Sequence, residues 1–170
     1  DFSQFGKIDR SSMSRIHQLT AENMSRSWLT VPHVTQFEKA DITELEKFRK
    51  AQKTLAEKKG VRLTPLPFMI KACAYALTAY PQFNVSLDME KHEVIQKHYV
   101  NIGVAVDTPG GLVVPVLRNV DSKGIWEIAA EFADLADKAK DKKIKPAEMQ
   151  GGCFTISSVG SIGGSAFTPI

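Results

Sequence analysis

Asn101-Ile102-Gly103-Val104-Ala105-Val106-Asp107-Thr108-Pro109-Gly110-Gly111-Leu112-Val113-Val114-Pro115-Val116 is the stretch whose reading decides the fold. Residues 99–106 and 112–116 are rich in Val and Ile, side chains that suit a pleated, half-buried surface. Between them Asp107-Thr108-Pro109-Gly110-Gly111 supplies the backbone angles of a tight turn. The expectation is a β-hairpin. Upstream, residues 85–87 and 94–98 are shorter extended runs joined by a polar turn around Asp88, a second hairpin. Downstream, residues 153–158 read as a buried strand, entered through Gly151-Gly152 and left through Gly160, Gly163 and Gly164.

Helical patterns alternate with these strands. In residues 12–29, Ile16, Leu19, Met24 and Trp28 fall near helical spacing until Pro32 forces the chain out, after which residues 33–40 read as a strand. Asp41-Ile42-Thr43-Glu44 has the form of a capping box, with Asp41 accepting from a free first-turn N–H and Glu44 reaching back. A helix to Lys59 follows, with Ile42, Leu45, Phe48 and Leu55 on one face and Gly60 as its left-handed stop. Thr64-Pro65 opens the next helix. Residues 65–80 are apolar nearly all round, which predicts a central helix whose lone charge, Lys71, either snorkels to the surface or meets an anionic ligand. Ser122 is placed to cap a last helix, in which Ile125, Ile128, Ala129, Phe132, Leu135, Ala136 and Ala139 keep the i, i+3, i+4, i+7 rule. Lys138, Lys140, Lys142 and Lys143 gather at its C-terminal end, where cations complement the helix dipole. The fold class expected is α/β, a helix layer on a mixed β-sheet with an additional hairpin.

Composition narrows the function classes. With 170 residues, 43% hydrophobic and 24% charged, the chain is proportioned as one compact domain that needs no staple. No apolar run approaches the roughly 20 residues of a membrane span, and no signal peptide opens the chain, so a cytoplasmic location without membrane contact is expected. A net charge of +3 spread over mixed surfaces disfavours nucleic acid. Cys73 and Cys153 have no partners at ligand spacing, which predicts reduced, buried thiols and no metal. Asp1 stands where an initiator Met would, and residues 165–170 read as the start of an extended element, so a fragment is expected.

Among residues able to do chemistry, His17, His33, His92 and His98 each lack a local orienting partner of the kind a general base needs. The Gly151 to Gly164 stretch differs in kind. Ser157 and Ser158 end an apolar strand, and the glycines beyond allow a ligand or a second backbone to approach. Neither serine sits in a Gly-x-Ser-x-Gly elbow, and neither a phosphate loop nor a dinucleotide fingerprint is spelled. Spacing alone leaves two readings: a tight turn at a strand end, or a hydroxyl that donates to a developing oxyanion.

Pro32-His33-Val34-Thr35, Asp41-Ile42-Thr43-Glu44-Leu45, the 101–109 run with its Gly-Leu-Val-Val-Pro-Val continuation, and Met149-Gln150-Gly151-Gly152-Cys153-Phe154-Thr155-Ile156-Ser157-Ser158 together closely resemble the catalytic domain of dihydrolipoamide acetyltransferases, nearest to bacterial members. These are the core components of pyruvate dehydrogenase complexes. The resemblance covers essentially the whole chain. It implies a chloramphenicol-acetyltransferase-like fold, homotrimers with sites between subunits, and hollow cores built from trimers. It implies transfer of acetyl from a dihydrolipoyl thioester to coenzyme A, with a lipoyl domain outside this chain and the pyruvate dehydrogenase and dihydrolipoamide dehydrogenase components as partners. Matching Thr-Ile-Ser-Ser places the oxyanion-stabilising serine at Ser157. Arg49 and Lys71 are the candidates for the coenzyme A phosphates, which favour Arg and Lys. The family's catalytic histidine lies in an Asp-His-Arg-x-x-Asp-Gly type motif that none of the four histidines matches. The chain is therefore expected to be a single incomplete catalytic domain, inactive alone. A non-catalytic assembly module, or a relative that transfers succinyl or branched-chain acyl groups, are the alternatives.

Overall fold

The computed structural model describes residues 1–160 and 162–170. They form two compact units, Asp1–Glu38 with Ser165–Ile170, and Lys39–Gly164.

In the first unit a 3-10 turn, Phe2–Phe5, precedes helix α1 (Arg15–Thr30). Ser14 caps α1, its Oγ accepting from the His17 N–H at 3.2 Å. The helix stops before Pro32. The strand expected over residues 33–40 does not form. Val34 is 95% exposed, and no residue there pairs with a strand among the described residues. A lone extended segment leaves its N–H and C=O groups to water and buries nothing, so its apolar alternation has no partner to act on.

The second unit begins with α2 (Thr43–Ala51) and α3 (Lys53–Lys58). Asp41 accepts from the Thr43 N–H at 2.8 Å, but Glu44 bonds Lys47 at 2.7 Å and leaves the capping box open. The single helix expected to Lys59 is interrupted at Gln52, whose N–H is shared by the carbonyls of Phe48 and Arg49 at 3.2 and 3.1 Å. Gly60, at φ 64°, makes the expected left-handed stop. Helix α4 (Leu66–Ala79) follows, then strands β1 (Val85–Asp88), β2 (Glu93–Gln96), β3 (Ile102–Val104), β4 (Val106–Thr108), β5 (Gly111–Val113) and β6 (Val116–Leu117), helix α5 (Ile125–Lys140) and strand β7 (Phe154–Ile156).

β1 and β2 form the expected antiparallel hairpin, its turn held by Asp88 Oδ1 accepting from the N–H groups of Glu90 and Lys91. The decisive hairpin forms in two stages. β4 pairs with β5 around the Pro-Gly-Gly turn, and β3 pairs with β6 below it. The ladder changes between them at Ala105 and at Val114-Pro115, because Pro115 has no N–H to donate, although its carbonyl still accepts from Val104 at 2.9 Å. β7 then adds to the other edge of β3 in parallel, giving the mixed order β6-β3-β7.

Helices α4 and α5 cover this sheet. Ile70, Ala74 and Leu77 of α4, Ile128 and Leu135 of α5, and Ile102, Val104, Leu117 and Ile156 from the three strands form one buried cluster. α4 is not buried all round as its composition predicts: Met69 is 48% and Tyr75 76% exposed. One face of a helix suffices to cover a three-stranded sheet, and hydropathy cannot say which neighbour reaches the other face. Ser122 does not cap α5. Its hydroxyl donates to the Asn119 carbonyl at 2.9 Å within the 3-10 turn Val120–Ser122, and Gly124 occupies the cap position.

Gly103 sits where β3 is pressed hardest. A Cβ there would lie 2.8 Å from Val114 Cγ1 and 3.2 Å from Thr155 Oγ1. Both neighbours are short, branched side chains with little room to swing. Gly103→Ala should therefore cost about 1–3 kcal/mol of stability by overpacking, read as a lower midpoint in urea denaturation with an unchanged slope.

Candidate active site

Ser157 is the first residue beyond β7, and its side chain is exposed. The last ladder bond before it runs from the Ala105 N–H to the Ile156 carbonyl at 2.9 Å. The serine is thus held within one residue of a buried strand end, while its hydroxyl faces solvent. β7 is less buried than the sequence predicts: Ile156 enters the core, but Phe154 is 44% exposed. Beyond it, Ser158 Oγ accepts from the Gly160 N–H at 3.4 Å, the turn component of the reading. Ser161 lies outside the described residues.

The approach to β7 is tied down from three sides. Asn101, 5% exposed, donates from Nδ2 to the Gly151 carbonyl and accepts at Oδ1 from the Asn119 N–H, both at 2.9 Å. Its own carbonyl accepts from the Cys153 N–H at 2.8 Å. Arg118 donates from Nη2 to the carbonyls of Ala147 and Gln150 at 2.9 and 3.1 Å. Gly151, at φ 81°, passes close beneath that guanidinium, where a Cβ would meet Nη1 at 3.4 Å. Upstream, Glu148 accepts from the Lys145 N–H at 2.7 Å and from Lys138 Nζ at 3.3 Å, closing the 3-10 turn Pro146–Met149.

Arg49 is found elsewhere in this unit, in an open cleft of about 700 Å³ between α2, α3 and the following loop. Four cations, Arg49, Lys50, Lys53 and Arg62, line the cleft against one carboxylate, Glu57. Among the described residues Lys50, Lys53 and Arg62 have no ion-pair partner. Arg49 forms a two-pronged pair with Glu46 through Nε and Nη2, each at 2.8 Å, and donates from Nη1 to the Leu63 carbonyl at 3.1 Å. The cleft is seated on a small apolar cluster of Ala56, Leu63 and Ala129, with Val61, Phe68 and Trp126 packed against it. Sequence reasoning selected Arg49 and passed over Lys50, Lys53 and Arg62. The available signal was a cation run, Arg49, Lys50 and Lys53, ahead of the Gly60 stop, with Arg62 just beyond it.

Lys71 does not line this cleft, and neither does Ser157. The Lys71 ammonium donates to the carbonyls of Val120 and Asp121 at 3.3 and 2.8 Å, a strut from α4 to the turn before α5. His92 holds a left-handed position, φ 53°, in the β1–β2 turn; His98 follows β2, His17 lies on α1, and His33 Nδ1 is 2.7 Å from the Val31 carbonyl. Cys73 and Cys153 are free and half-buried, and burial pushes the Cys73 thiol up. Among the described residues no three His, Cys, Asp or Glu side chains cluster to hold a metal, and no helix is long and apolar enough to cross a membrane.

Residues 5–170 match the family model of the 2-oxoacid dehydrogenases acyltransferase (catalytic domain). The chain is 60% identical over its whole length to the dihydrolipoyllysine-residue acetyltransferase component of the pyruvate dehydrogenase complex of Azotobacter vinelandii, of which it spans 27%. It superposes at TM-score 0.97 and 60% identity on the solved dihydrolipoamide acetyltransferase of that organism, covering 100% of this chain and 70% of that one. That structure comes from crystallographic and enzymatic work on the roles of a serine, a histidine and an asparagine in the catalytic mechanism. The solved cubic core of a pyruvate dehydrogenase multienzyme complex matches at TM-score 0.96 and 59% identity, with the same coverage.

Two outcomes follow from the scaffold around Ser157. Asn101→Ala removes the bonds to the Gly151 carbonyl and the Asn119 N–H and should cost about 0.5–1.5 kcal/mol for each, measured by chemical denaturation. Glu148 is held below the usual carboxylate range, chiefly by the Lys145 N–H and then by Lys138. A depressed folded-state value means the contribution is full above the unfolded value and disappears as pH falls through the folded one. Stability should therefore drop on acidification below about pH 4–5, and Glu148→Gln, which keeps an acceptor oxygen, should flatten that part of the pH profile.

Proposed function

Because the chain belongs to the 2-oxoacid dehydrogenases acyltransferase family, through its catalytic domain, we propose that it carries acetyl transfer from an S-acetyldihydrolipoyl group to coenzyme A in the core of a pyruvate dehydrogenase complex. The observation that carries this reading is the seat of Ser157. It stands exposed one residue beyond Ile156, which enters the core, within Thr155-Ile156-Ser157-Ser158.

The chemistry asks little of that hydroxyl. The thiolate of coenzyme A attacks the thioester carbonyl, the carbonyl oxygen takes up the negative charge, and the Ser157 O–H donates to it. Collapse of the tetrahedral adduct re-forms the carbonyl and expels the dihydrolipoyl sulfur, which takes a proton. A donor fixed in place before reaction pays no reorganisation cost as the charge develops. Because Ser157 follows the ladder bond from Ala105, the strand and the clamps at Asn101 and Arg118 hold the backbone from which that hydroxyl projects. The proton-abstracting role is assigned to none of His17, His33, His92 or His98.

The nucleotide end of coenzyme A carries a pyrophosphate and a 3′-phosphate, and the cleft of Arg49, Lys50, Lys53 and Arg62 is its proposed seat. Unpaired cations on a cleft wall repel one another, which an anionic occupant relieves. Lys71, the other cation picked out by sequence, lies outside this cleft and donates to the carbonyls of Val120 and Asp121. The proposed assembly is a homotrimer within a larger hollow core, after the cubic core to which this chain is similar. It works in the cytoplasm with lipoyl domains and the pyruvate dehydrogenase and dihydrolipoamide dehydrogenase components.

Ser157→Ala in the full-length protein should lower kcat by on the order of 100-fold to 1000-fold, the usual loss for one oxyanion donor, with KM for coenzyme A little changed. Steady-state acetyl transfer measures it, and an unaltered kcat removes Ser157 from the mechanism.

A further inference from the structure

Among the described residues, Arg49 is the one cation of the cleft whose side chain is bonded to other protein groups. Glu46 grips it through Nε and Nη2 at 2.8 Å each, and the Leu63 carbonyl takes an Nη1 proton at 3.1 Å. A guanidinium has five N–H groups, two on each Nη. Three are used here, so each Nη keeps one N–H that an anionic oxygen can accept from. Both side chains of the pair are about three-quarters covered, at 25% and 26% exposure. Glu46 is not among the residues lining the cleft, while Arg49 is. Each holds the other in its charged form, Glu46 below its usual range and Arg49 above its own.

We propose that Glu46 is a positioning residue for phosphate recognition: it fixes the Arg49 guanidinium so that its unspent N–H groups grip the 3′-phosphate of coenzyme A, and so sets the preference for coenzyme A over its 3′-dephospho form. The inference rests on the coenzyme A reading of the cleft. The 3′-phosphate is the group chosen because, as a terminal monoester, it exposes three oxygens and close to two charges, whereas each phosphorus of the pyrophosphate diester carries about one. Lys50, Lys53 and Arg62 add field without a fixed geometry. A free arginine would lose side-chain entropy on gripping phosphate, and the Glu46 pair spends that entropy in advance.

The alternative role of a carboxylate beside an arginine is simple neutralisation, and it has the opposite sign. Removing a neutralising charge would tighten phosphate binding; removing a positioning group loosens it. The test is steady-state acetyl transfer by the full-length protein with coenzyme A and with 3′-dephospho-coenzyme A as acceptors, for Glu46→Gln, Glu46→Ala, Arg49→Ala and the double variant. Circular dichroism and thermal melting of each accompany the kinetics. The expected result is a KM for coenzyme A raised roughly tenfold in Glu46→Ala and less in Glu46→Gln, with kcat and the dephospho KM unmoved, and no further loss when Glu46→Ala is added to Arg49→Ala. An unchanged or lowered KM for coenzyme A in folded Glu46 variants overturns the proposal, as does an equal rise for both acceptors. Lys53→Ala and Arg62→Ala separate the two levels of the reading. If they erode the preference while the Glu46 variants do not, positioning alone fails; if they leave it intact together with Arg49→Ala, the cleft is not the phosphate seat.

Discussion

Strand β3 has no free side. β6 pairs along one edge and β7 along the other, and α4 and α5 bury Ile102 and Val104. Between those two residues the space is so narrow that only glycine fits, with Val114 and Thr155 already in contact range of an absent Cβ. A strand enclosed in this way transmits position with little slack, since a one-residue slip would drive its core face outward. β7 inherits its register from β3, and Ser157 inherits its place from β7. The freedom left to the serine is that of its own side chain.

The same unit handles its polar demands by spending side chains on main-chain groups. Asn101 joins the Gly151 and Asn119 segments, Arg118 joins the carbonyls of Ala147 and Gln150, and Lys71 reaches from α4 to the turn before α5. Each bond crosses a long separation in the chain and lies at an irregular segment, where backbone groups would otherwise lack partners. These charged and amide side chains therefore do structural work in a region whose sequence suggests ligands. By contrast, the cations around Arg49 include several with no ion-pair partner among the described residues. Of the two positive side chains picked out by sequence, Arg49 lines that cleft and Lys71 does not, although both are bonded to other protein groups.

The legible part of the fold was the part written in local chemistry. The Pro-Gly-Gly turn between β4 and β5, the Gly60 stop, the periodic face of α5 and the Ser157 strand end all follow from residues a few positions apart. What was misread depended on neighbours. Residues 33–40 have strand character without a strand beside them, and α4 has an apolar surface larger than the core that meets it. Ser122 has the side chain of a helix cap, but a 3-10 turn with Asn119 claimed its hydroxyl first. Glu44 likewise found Lys47 nearer than the backbone it was expected to reach.

By itself the sequence determined the alternation of helices and hairpins, the family likeness and the candidacy of Ser157, because each is carried by residue types at short spacing. Only the tertiary structure decided that β7 runs parallel to β3, that Asn101 and Arg118 hold the approach to the serine, that Lys71 is a strut and that Arg49 shares a cleft with Lys53 and Arg62. The physical reason is the range of the interactions. Turn angles and helical periodicity act within a few residues, whereas strand partners, buried amides and facing charges are chosen by segments that meet only after the chain has folded.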